Sequence, residues 1–219
     1  MELLGDPIDP IDPIDPVDPV EVWRTFLYAD FCSQREGTTR RVTRVLNGKD
    51  PALREHLELG PDGWGAAARI GDALAASIRE ALLECHGGTR EGLRGDINGG
   101  TDTMVWRRAR IDGDDDLRLL AFGDFEQATT RTLLPARAEQ LFRTTRMLDD
   151  VLAVLDNGDR LPPMICIATE PEATLFVLDG NQRVVALRLR RDWPVEVMVG
   201  FSQNVPLWAC FPGYILPEQ

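Results

Sequence analysis

The sequence predicts an α+β protein, a small mixed sheet with helices, carrying an N-terminal helical subdomain. Three observations lead there. From residue 21 to about 88, apolar side chains recur at helical spacing. Beyond residue 103, short apolar runs of strand length alternate with turn signals and helical stretches. Between the two lies a glycine-rich polar stretch, residues 87–102, which reads as a flexible connection, with an anion-binding loop as the alternative. The expected organisation is therefore an extended acidic tail over 1–20, a helical subdomain with its linker over 21–100, and an α+β domain over 101–219.

The tail is a tripeptide repeat, Asp-Pro-Ile three times and then Asp-Pro-Val twice, from Asp6 to Val20. Proline at every third position fixes φ and removes backbone donors, so an extended or disordered chain is expected, with a partner-docking motif as the alternative. Trp23, Phe26, Leu27 and Phe31 then fall on one helical face. Asp50-Pro51 is an N-cap followed by proline at the first helical position. Gly60-Pro61-Asp62-Gly63 reads as a turn, and Ile70, Leu74, Ile78, Ala81 and Leu82 form a further amphipathic face, giving about three helices. In the second half, 103–111 and 117–122 read as a hairpin around Asp112-Gly113-Asp114. Residues 135–155 read as one long helix stopped at Asn157-Gly158. Residues 164–168 and 174–178 are short apolar strands, 184–191 a helix and 195–199 a closing strand.

Composition narrows the function. A net charge of -12 opposes a protein that coats nucleic acid, which needs clustered cations. Arginines nevertheless cluster over 107–146 and 183–191, so a local anion site is open. Lys49 is the single lysine, which leaves none in the C-terminal half for a P-loop or a Schiff base. Cys32, Cys85, Cys166 and Cys210 form no CxxC pair and lie in or beside apolar stretches, so reduced core thiols are expected. His56 and His86 have no partner at metal-ligand spacing. No apolar run reaches the length of a membrane span, no secretory signal opens the chain, and a cytoplasmic protein is expected.

Chemistry is most concentrated in Leu175-Phe-Val-Leu-Asp-Gly-Asn-Gln-Arg-Val-Val-Ala-Leu187. A buried strand running through Asp179-Gly180 into a helix lets the backbone turn sharply and aims helix amides, with the positive end of the dipole, at a ligand. Arg183 adds a fork suited to phosphate or carboxylate. Asn181 and Gln182 can donate and accept toward ribose, base or phosphate, and Asp179 can hold a metal ion or orient a hydroxyl. The alternative is a tight strand-to-helix turn with Asp179 capping the helix and Arg183 on the surface.

The order of helix, Leu161-Pro-Pro-Met-Ile-Cys-Ile167, Leu178-Asp-Gly-Asn-Gln-Arg183, Ala186 and Pro194-Val-Glu-Val197 resembles the ParB/sulfiredoxin superfamily over roughly residues 117–200. Its members carry a Gly-x-x-Arg turn between strand and helix. The resemblance implies a nucleotide-binding α+β domain, with Gly180, Asn181, Gln182 and Arg183 around the phosphates of ATP or another NTP. It also implies Mg²⁺ or the acceptor at Asp179. Glu126, or its rival Asp124, would match the acidic general base of the serine-kinase members. Asn181 and Gln182 stand where sulfiredoxins have cysteine and where the serine kinases have histidines, and the short remainder after Val199 leaves no room for the helix-turn-helix of partition proteins. The expected function is an NTP-dependent phosphotransferase or hydrolase acting on a small molecule. The alternatives are a nuclease or restriction-type protein acting on DNA, suggested by the Asp-Gly-Gln-Gln-Arg boxes of such members, and a non-catalytic nucleotide sensor whose acidic tail docks a protein partner.

Overall fold

The computed structural model describes residues 13–32, 36–64, 70–86, 104–115, 117–120, 132–145, 148–170 and 174–203. A mixed sheet forms the middle layer. Its strands are β1 (Pro13–Pro16), β2 (Val105–Ile111), β3 (Leu117–Leu120), β4 (Thr132–Leu133), β5 (Met164–Ala168), β6 (Leu175–Asp179) and β7 (Val195–Phe201), in the order β1-β2-β7-β5-β6-β3-β4. The β5–β7 and β3–β6 pairs are parallel and the others antiparallel. The α+β class holds.

Strand alternation explains why both faces are covered. Met164, Cys166 and Ala168 of β5 point to one face, with Val177 of β6 and Val197 and Val199 of β7. Ile165, Ile167, Leu178 and Met198 point to the other. β5 is buried along its whole length, as a strand between two helical layers must be. One layer is α1 (Pro19–Phe31), α2 (Glu36–Asn47), α3 (Pro51–Gly63) and α4 (Asp72–His86). These four helices share one apolar cluster with the sheet, through Phe26, Leu27, Leu53, Leu57 and Ile78. The expected helical subdomain is thus a layer on the sheet. The opposite layer is α5 (Pro135–Thr145), α6 (Asp149–Asp156) and α7 (Asn181–Arg190). No described helix is long and apolar enough to cross a membrane.

Several sequence expectations need correction. The last part of the repeat is ordered: Pro13–Pro16 is an edge strand, and Asp18 accepts from the Val20 amide to cap α1. Proline is tolerated there because an edge strand has a free side. The expected three helices are four, because the arginine-rich α2 has a narrow apolar stripe of Val42, Val45 and Leu46. The turn at 60–63 is a kink at Gly60, which has φ 66°. The hairpin does not form. β2 pairs with β1 and β7, while β3 pairs with β4 and β6. β2 and β3 are joined by the step from Ile111 to Leu117, where the Leu117 amide donates to the Asp114 carbonyl at 3.2 Å. Asp114 on that step is held by Arg188 of α7, with Nη1 donating to Oδ1 at 3.0 Å and to Oδ2 at 2.7 Å. The long helix is two, α5 and α6, the second starting after Leu148. Cys32 is exposed, whereas Cys85 and Cys166 are buried; Cys210 lies outside the described residues.

In the four-helix layer, Trp64 takes the Arg24 guanidinium on its face at 4.2 Å, stacks with His56 at 5.3 Å, and donates from Nε1 to the His56 carbonyl. Burial, and then the Arg24 charge, holds the His56 imidazole below its ordinary value of 6.5. A depressed folded value means that the unfolded chain binds the proton first. Stability is therefore unaffected above about pH 6.5 and falls as pH drops through it. Urea unfolding of His56→Gln is expected to show a flatter loss between about pH 7 and pH 5, by at most about 1.4 kcal/mol per pH unit for one proton. Parallel profiles would refute this.

Candidate functional site

β6 ends at Asp179, and the chain turns through Gly180 directly into α7. Gly180 has φ 110° and ψ 20°, a conformation closed to most side chains. It has no room for one either: a Cβ there would stand 2.9 Å from Met164 Cγ and 3.0 Å from Arg183 Nε. The glycine is required because the Arg183 head lies against it.

Arg183 folds back rather than out. Its Nη1 donates to the Pro162 and Pro163 carbonyls, at 2.6 Å each, and its Nη2 donates to Asp179 Oδ2. The side chains of Arg183 and Asp179 are only 8% and 13% exposed. The guanidinium therefore ties three segments together: the approach to β5, the end of β6 and the first turn of α7. Two prolines in series suit the acceptor role, since each offers a carbonyl and neither competes as a donor. The N-cap position of α7 is Gly180, which offers no side-chain cap. Neither sequence reading describes this: Arg183 is not on the surface, and most of its donors are directed inward.

In front of the turn lies an open cleft of roughly 1320 Å³. It is bordered by Tyr28 and Asp30 of α1, Cys32, Arg108 of β2, Asp150, Val151 and Val154 of α6, the 158–164 segment, residues 178–183, and Asp192 and Glu196. Asn181 and Gln182, both partly buried, face it. The first helical amide that bonds back is that of Val184, to Gly180 O at 2.9 Å, so the amides of 181–183 precede the helix ladder with the positive dipole end behind them.

The cleft is more acidic than the arginine clusters suggested. Arg108 on its border is held by Glu21 and Glu196, and away from it Arg188 is held by Asp114 and Glu139 and Arg190 by Asp156. Asp30, Asp150, Asp159 and Asp192 also border it. Among the described residues, no group of three or more His, Cys, Asp or Glu side chains could hold a metal ion. The Asp179 carboxylate is engaged by Arg183, so a cation there would compete with a guanidinium already in place. Resident Mg²⁺ at Asp179 does not fit this arrangement. Behind the turn, burial pushes the Cys166 thiol up to about 12, which keeps it protonated and unreactive.

Of the expected site residues, Asp179, Gly180, Asn181, Gln182 and Arg183 are together at one turn, while Glu126 and Asp124 lie outside the described residues. Sequence reasoning missed Pro162 and Pro163 as acceptors, although Leu161-Pro-Pro-Met stood out as a flank of the motif. It also missed the contributions of α1 and α6 to the cleft, which no local pattern signals. Comparison with family models, curated proteins and solved structures found no match.

Proposed function

We propose that this chain binds a nucleotide, ATP or another NTP, in the cleft at the N-terminus of α7 and uses it in phosphoryl transfer to a small molecule or in hydrolysis. The observation that supports the reading best is a helix N-terminus entered through a glycine of positive φ at the carboxyl end of a buried strand, opening on a cleft of roughly 1320 Å³. Asn181 and Gln182 contact the phosphates or ribose. Gly180 permits the turn. Arg183 supports the site indirectly by fixing the turn, a smaller role than a phosphate cradle. Mg²⁺ would arrive bound to the phosphates, consistent with its usual reliance on few protein ligands. Glu126 is the general base of this proposal.

The inward pairing of Asp179 with Arg183 favours a second reading, a nucleotide sensor without catalysis. The net charge of -12 argues against the DNA-processing alternative, which needs clustered cations along a polymer. Calorimetric titration with ATP, ADP, CTP and GTP in the presence of Mg²⁺ tests the proposal. One nucleotide is expected to bind, and Gln182→Ala is expected to weaken it about five- to ten-fold, the loss of a single hydrogen bond. If none of the four binds, the proposal fails. If one binds, phosphate release that is abolished by Glu126→Ala identifies an enzyme, and binding without release identifies a sensor.

A further inference from the structure

The β2 edge is built to take an acidic, proline-spaced strand. Val105–Ile111 reads Val-Trp-Arg-Arg-Ala-Arg-Ile, three arginines and no acid. The strand laid on it, Pro13–Pro16, sets Asp15 opposite Arg108 and Pro16 opposite Arg107. The next amide, of Val17, donates to Trp106 O at 2.9 Å, and the Val17 side chain enters the core. The docked pattern is therefore Pro-Ile-Asp-Pro-Val over 13–17. It is held weakly for a strand, because two of its first four residues lack an N–H and its register is broken between Pro13 and Asp15.

The same pattern recurs upstream. Residues 7–11 and 10–14 both read Pro-Ile-Asp-Pro-Ile, differing from 13–17 only by isoleucine for valine at the fifth position. What selects 13–17 within one chain is covalent: Asp18, the next residue, caps α1 by accepting from Val20 N at 2.8 Å. An upstream unit is free of that tie. The eight steps from Ile11 to Pro19 would reach about 25 Å if fully extended at proline spacing, enough to meet a neighbouring molecule.

We propose that the outer edge of β2 is a peptide-binding site for Pro-Ile-Asp-Pro-(Ile/Val) units, and that a second copy of this chain supplies the occupant. Each copy inserts residues 7–11 or 10–14 at the other's β2 edge in place of residues 13–17. The exchange is symmetric and closed, and it preserves the number of strand pairs, so protein concentration sets the balance. The spare repeats raise the number of ways the exchanged state can form.

Sedimentation velocity of the full chain, from micromolar to near-millimolar concentration, tests this. A concentration-dependent dimer is expected. It should return to monomer with excess synthetic peptide Asp-Pro-Ile-Asp-Pro-Ile-Asp-Pro. It should also be lost in the full-length variant Asp9→Lys/Asp12→Lys, which leaves 13–17 intact and removes the charge match of the upstream units. The circular dichroism of that variant should be unchanged. A single monomeric species at every concentration, or a dimer that persists in the variant, overturns the proposal.

Discussion

Arg183→Ala is expected to destabilise the protein by about 3–5 kcal/mol, the usual consequence of removing one partner of a buried ion pair. The substitution strands the Asp179 carboxylate and also leaves the carbonyls of Pro162 and Pro163 without the donor that joins them. For a chain of this length the midpoint of thermal unfolding should fall by on the order of 10 °C. Arg183→Lys should recover only part of the loss, because a compact ammonium cannot span three acceptors arranged for a planar fork. Urea unfolding of Asp179→Ala, Arg183→Ala and the double variant checks the assignment directly. A coupling of about 2 kcal/mol or more is expected, since most of each single loss is the charge left behind. Additive losses would show that the two side chains act independently.

Gly180→Ala is expected to destabilise by about 2–6 kcal/mol, from two additive sources. A residue with a Cβ is strained by about 1–3 kcal/mol at a φ so far from its allowed regions. Overpacking adds about 1–3 kcal/mol, because the Cβ would meet Met164 Cγ at 2.9 Å and Arg183 Nε at 3.0 Å. The arginine cannot move aside without releasing the two proline carbonyls and Asp179. The same unfolding measurement decides. A loss under about 1 kcal/mol would mean that the turn relaxes and that Arg183 is not held as described.

These two effects show what was legible in the sequence. The place of the site was: a strand, Asp-Gly and a helix start are a local signal, and local backbone chemistry sets them. The strand 164–168 was legible for the same reason, since its continuous apolar run marks a strand buried on both faces. The direction of Arg183 was not legible. An arginine one turn into a helix reads as surface until its acceptors are known, and these come from residues 162 and 163, twenty positions earlier. The failed hairpin has a similar cause. Asp112-Gly113-Asp114 is good turn chemistry, but β7 offers β2 a partner along all seven residues, and Arg188 draws Asp114 across the end of the sheet. The break between α5 and α6 left one local trace, the paired acids Asp149 and Asp150 in the first turn of α6, which suit a helix start. The extended state of the repeat's end was legible from its proline spacing, but its pairing with β2, about ninety residues on, was not.

The proposed nucleotide site lies at the N-terminus of α7, with the Asp179–Arg183 pair holding the turn behind it. An ¹⁵N-resolved nuclear magnetic resonance titration with ATP and Mg²⁺, repeated with the other nucleotides, tests this most directly. The amides of Gly180, Asn181 and Gln182 are expected to shift most, followed by those bordering the cleft on α1 and α6, with the Arg183 side-chain signals unchanged in their protection from exchange. Shifts confined to other surfaces, or none with any nucleotide, would contradict the account.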